Sequence, residues 1–130
     1  MERAELLRDA RNILLKLHKA LLDLDREMYE GFHGEVNTGE FLNLLLEDDD
    51  FAWLRKFSML IVEIDETFDR KEKVTTEMVE IHLGKVRELV EMKEPDEYFR
   101  AKYEFGIQRD PDAAALHGQL KTLLAVSSVR

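Results

Sequence analysis

Between Leu6 and Phe32 the chain repeats apolar residues at helical spacing. Leu6, Ala10, Ile13, Leu17, Ala20 and Leu24 alternate steps of four and three, and Leu7, Leu14, Leu21 and Met28 run beside them every seventh residue. That pattern lays an apolar stripe along one amphipathic helix roughly 30 residues long. Gly31 and Gly34 mark its end, because glycine enters the left-handed cap conformation without steric cost. A further line, Leu15, Leu22 and Tyr29, widens the apolar surface and predicts packing on two sides, as in a central or dimer-forming helix.

The rest of the chain reads as shorter helices able to cover that stripe. After a loop from Gly34 to Gly39, Asn37 followed by Glu40 has the form of a capping box. The second helix, Glu40 to Glu47, is apolar nearly all round, which predicts deep burial. Glu47-Asp48-Asp49-Asp50 then places negative charge where a helix N-terminus favours it, with Asp49 or Asp50 as the cap. A third helix follows over Phe51 to Asp69, its core positions Phe51, Leu54, Phe57, Ile61, Ile64 and Phe68, with Trp53 and Leu60 on the shoulder. Thr75 or Thr76 caps a fourth helix, to about Lys93, through Val79, Leu83, Val86 and Val90. Glu94-Pro95-Asp96 breaks the chain before a fifth helix, Asp96 to Gln108, that presents Tyr98, Phe99, Tyr103 and Phe105. Asp110-Pro111 repeats the device for a sixth, through Leu116, Leu120, Leu123 and Leu124. No alternating stretch or hairpin turn survives beside these helices. The fold class is all-α: a helical bundle of five to six helices with one long N-terminal helix, formed by residues 1–130 as one domain.

Composition agrees with this and narrows the chemistry. A chain of 130 residues buries roughly two thirds of its unfolded surface around one core. Only 6 Gly and 2 Pro leave few places for turns. The net charge of −9 lacks the basic clusters that grip a nucleic-acid backbone, so no nucleic-acid partner is expected. With no cysteine there is no disulfide, thiolate nucleophile or thiolate zinc site. The N-terminus is charged with no apolar segment behind it, and no apolar run approaches 18 residues, so a cytoplasmic location and no membrane contact are expected.

Candidate chemistry gathers on one edge of the first helix. Arg11, His18 and Asp25 succeed each other every seventh residue, and Tyr29 follows one turn on. This candidate polar face reads first as a polar flank of the core, second as the wall of a ligand or metal pocket beside His18 and Asp25. Glu30-Gly31-Phe32-His33 has the Glu-x-x-His spacing of di-iron bundles, but no second copy precedes His82 or His117, and the glycines predict a loop histidine. His82 falls near the core between Val79 and Val86, and His117 is expected to be partly exposed. The run Glu47 to Asp50 lacks the alternation and glycine of a calcium loop. No metal or other cofactor is expected.

Two resemblances add to this reading. Arg11 and His18, with six residues between them and Asn12 directly after the arginine, resemble the Arg-x(4–6)-His motif of the HEPN superfamily of helical ribonucleases and nucleotide-binding proteins. The resemblance covers eight residues and implies that Arg11 and His18 of two subunits meet at a dimer interface and cleave RNA without a metal. Here the motif lies in the first helix, whereas the family carries it in a late one. Leu14-Leu15-Lys16-Leu17-His18-Lys19-Ala20-Leu21-Leu22, Phe51-Ala52-Trp53-Leu54-Arg55 and Gln108-Arg109-Asp110-Pro111-Asp112 together resemble small bacterial helical proteins of unknown function. That implies a bacterial cytoplasmic setting and no site residue. The sequence favours a non-enzymatic bundle that acts by protein contact, as a homodimer through its first or third helix or with another protein.

Overall fold

A computed structural model describes residues 2–93 and 95–128; Met1, Glu94, Val129 and Arg130 lie outside them. The helical spacing of the first segment produces α1, Arg3–His33. It is followed by α2 (Thr38–Glu47), a 3-10 segment (Asp49–Leu54), α3 (Arg55–Phe68), α4 (Thr76–Val90), α5 (Glu97–Arg109) and α6 (Pro111–Ser128), with no strand among the described residues. At about 1.5 Å per residue α1 spans about 46 Å, and the other elements pack along it, α6 most extensively and then α3 and α4.

The buried stripe of α1 is Leu6, Leu7, Ala10, Leu14, Leu17 and Leu21. Ile13, Ala20 and Leu22 flank it half-buried, whereas Leu15 is exposed, so the second apolar line is covered at Leu22 and Tyr29 and open at Leu15. Gly31 does not end the helix. Gly34 does, at φ 87° and ψ 166°, a backbone region that essentially only glycine occupies. The following loop is tied back to α1: Arg26 donates to the Val36 carbonyl at 2.8 Å, and Val36 N–H donates to Glu30 Oε2 at 2.9 Å.

The capping box of α2 forms as predicted. Glu40 N–H donates to Asn37 Oδ1 at 2.8 Å, and Asn37 N–H donates to Glu40 Oε1 at 2.9 Å. Its deep burial does not. Only Phe41 is buried, and Leu42 and Leu46 stand exposed, because α2 packs mainly against the 3-10 segment, with Arg26 of α1 over the Phe41 ring. An all-round apolar composition reports what a helix could cover, not what covers it.

Asp48, rather than Asp49 or Asp50, makes the next cap, accepting from Asp50 N–H at 2.8 Å. The first part of the predicted third helix tightens to 3-10 geometry, and α3 proper begins at Arg55. That segment delivers Phe51, Trp53 and Leu54 to the core. Trp53, Phe57, Phe99 and Tyr103 meet there with ring centroids 5.3–6.1 Å apart, in tilted and edge-to-face pairs that suit aromatic quadrupoles. α5 approaches α1 closely at Gly106, where a methyl group would overlap the Leu21 side chain. Thr75 caps α4 as expected, through Met78 N–H; Asp96, read from the sequence as the first residue of the fifth helix, is instead the cap of α5, accepting from Tyr98 and Phe99 N–H. α4 ends three residues short of the prediction: Met92 turns left-handed at φ 57°, and Lys93 N–H donates back to the Glu88 carbonyl at 3.0 Å, the closing bond of a Schellman motif.

Candidate functional site

The predicted polar face of α1 is divided among three environments. Arg11 donates from Nε and a terminal nitrogen to both oxygens of Asp65 on α3, each at 2.8 Å. This bidentate pair raises the arginine's already high pKa and closes its hydrogen-bonding fork. Arg8, one turn earlier, lies over the Phe68 ring at 4.1 Å, and the two arginines line a shallow polar cavity with Asn12, Asp65 and Asp69. His18 lies two turns further along α1, half-buried with its ring 6.2 Å from that of Phe57, and burial lowers its pKa. His18 does not line the cavity beside Arg11.

Asp25 and Tyr29, by contrast, come together. Asp25 is 8% exposed, although it lies on a helix face otherwise lined by leucine. Trp53 Nε1–H donates to its Oδ2 at 2.8 Å, and Lys102 donates to its Oδ1 at 2.9 Å. Above this trio a cavity of about 290 Å³ opens between the last turns of α1, the 3-10 segment and the start of α5. Its walls are Met28, Tyr29, Phe32, Phe51 and Tyr98, and His33 and Asp50 complete the lining. The Tyr29 ring lies 4.3 Å from the His33 ring and 5.7 Å from that of Phe51. The Tyr98 hydroxyl donates to the Asp50 carbonyl at 3.2 Å, which holds α5 to the 3-10 segment across the mouth.

The other histidines are structural in their contacts. His33 is the last residue of α1 and not a loop residue, since the helix runs on through Gly31 to Gly34. Glu30 turns away from it toward Arg26 and Val36, so the Glu-x-x-His spacing brings no ligand pair together. His82 Nε2 meets Thr67 Oγ1 at 2.6 Å. The threonine hydroxyl donates to the Glu63 carbonyl, so the imidazole is the donor of that bond, and its buried Nδ1 is left without a partner. His117 Nδ1 meets the hydroxyl of fully buried Tyr103 at 2.8 Å, and burial pushes that hydroxyl's pKa well up. Burial first, then Lys85 for His82 and Lys121 for His117, lowers both imidazoles. Among the described residues no three His, Asp or Glu side chains gather closely enough to hold a metal ion, and no helix is long and apolar enough to cross a membrane.

Lys102 and Tyr98 complete a cavity to which the predicted polar face contributes Asp25 and Tyr29, and Trp53 holds Asp25 from behind. Lys102 is 77 residues from the carboxylate it pairs with, and no local spacing announces such a meeting. Comparison with family models, curated proteins and solved structures gives no match.

Proposed function

We propose that the chain is a non-enzymatic cytoplasmic module that works through protein contact and self-associates as a homodimer through the outward face of α1, α2 and α3. A single observation carries this. Leu15, Leu42, Leu46, Met59 and Val62 are 41–63% exposed and follow one another across that face. Arg55 joins α2 to α3, donating to the Leu45 and Leu46 carbonyls at 3.1 and 2.9 Å. Met59 and Val62 continue outward from Arg55 at helical steps of four and three. Between the Arg11–Asp65 and His18–Phe57 contacts of antiparallel α1 and α3, Leu15 comes level with Leu60 and Ile61, one step before Val62. Contiguous apolar surface of this kind marks an interface far more often than scattered exposed leucines do.

The same residues meet their own copies across a two-fold axis, which is the commonest oligomeric arrangement. Sedimentation equilibrium is expected to give a dimer at micromolar concentration. Met59→Glu and Val62→Glu together weaken it by about a hundredfold, since each removes roughly 1.5 kcal/mol or more of apolar burial. Both positions are exposed in the monomer, so its thermal midpoint stays unchanged. A strict monomer throughout the micromolar range overturns the proposal.

A further inference from the structure

We propose that the cavity at the end of α1 binds a small organic cation, an aralkyl ammonium or guanidinium, with its apolar body between aromatic walls and its charge toward Asp50. Three features of the cavity select this class. The first is shape: about 290 Å³ of open space is walled by Tyr29, Phe51, Tyr98 and Phe32, the last 85% exposed at the rim. Aromatic faces carry negative quadrupole density, and they attract cations that approach within about 6 Å. The second is the distribution of charge. Lys102 is committed to Asp25 at 2.9 Å, and Trp53 occupies that carboxylate's other oxygen, so the floor is a neutral, satisfied unit. Asp50 at the mouth has no such counter-ion among the described residues, and its N–H donates to the Asp48 carboxylate. Burial raises the Tyr98 hydroxyl pKa; Lys102 opposes the rise, while Asp50, Asp25 and Asp48 add to it. The third is rigidity: the Tyr98–Asp50 bond and the buried Asp25 trio fix the walls before a ligand arrives, which lowers the entropy cost of binding.

An anion would have to reach Lys102 past Asp50 while displacing Asp25. A cation meets no comparable obstacle. The site is distinct from the dimer face, none of whose apolar residues line the cavity.

The test uses the protein's single tryptophan, because the Trp53 indole N–H is bonded to Asp25 in the floor of the cavity. Titration of the full chain with 2-phenylethylamine at neutral pH is expected to change Trp53 emission saturably, with a Kd in the low millimolar range or tighter. Phenylacetate, similar in shape and opposite in charge, is expected to leave the emission unchanged. Asp50→Asn weakens the amine by about five- to tenfold, as loss of a partly exposed ion pair does. Tyr98→Ala, at an exposed wall position, weakens it by a similar factor. The proposal is overturned by an amine titration without saturation, by equal or stronger binding of phenylacetate, or by unaltered amine affinity in both variants.

Discussion

Asp25 holds an ammonium and an indole N–H in a site almost closed to water. Replacing it by alanine strands both donors, and unpaired buried polar groups cost more than the bond they lost. Asp25→Ala is therefore expected to lower unfolding stability by about 2–3 kcal/mol in urea titrations, and Asp25→Asn, which keeps an acceptor, by less. A change below about 0.5 kcal/mol, the scale of ordinary surface substitutions, would mean the trio is slack. The histidines act together in a different measurement. Burial lowers the pKa of His18, His82 and His117 in the native protein. As pH falls through the unfolded-state value of about 6.5, the unfolded chain takes up protons that the native chain refuses. Stability is thus full above neutrality and declines in acid, until the native pKa values are reached. Denaturant midpoints between about pH 7.5 and 5 should slope accordingly, and His82→Gln should flatten the slope. A profile level across that window, with all three histidines present, would contradict it. The sequence revealed positions here but not partners. His82 was legible as near-core because Val79 and Val86 frame it, whereas Thr67 lies on another helix and Asp25's donors are distant in the chain.

Helix ends were the most readable feature of the elements, because capping is local chemistry. Asn37 with Glu40, and Thr75, each bond the backbone N–H groups that their spacing predicts. Where an end depends on what lies beyond it, reading failed. The 3-10 tightening after Asp48 and the left-handed Met92 have no glycine or proline to announce them. Nor did Gly106 stand out inside α5, although α5 can approach α1 only because no side chain intervenes over Leu21. Gly106→Ala raises intrinsic helix propensity by about 1 kcal/mol, yet the added methyl must displace Leu21 in a packed core. The net expectation is a loss of stability of about 1–2 kcal/mol, read as a lower thermal midpoint by circular dichroism. A midpoint above the parent's would show that the two helices separate freely.

Across the whole molecule, the misjudged burial of α2 is the same fact as the exposed face of α1, α2 and α3. In the proposed dimer, a second copy covers the α2 leucines that this chain leaves exposed. Each copy carries a net charge of −9, so long-range repulsion opposes their meeting. Raising salt from about 0.05 to 0.5 M shortens the screening length to a few ångströms and is expected to tighten the dimer several-fold, as measured by sedimentation. Weakening by salt would point instead to ion pairs as the principal adhesive. The order of the helices also has a temporal meaning. α1 makes its broadest contact with α6, and residues 34–110 separate the two. At roughly 5–20 residues per second, a ribosome takes about 4–15 s to pass from the end of α1 to the start of α6. For that interval the leucines of the first helix emerge without their main cover, so the nascent chain offers chaperones a hydrophobic target that the finished protein no longer displays.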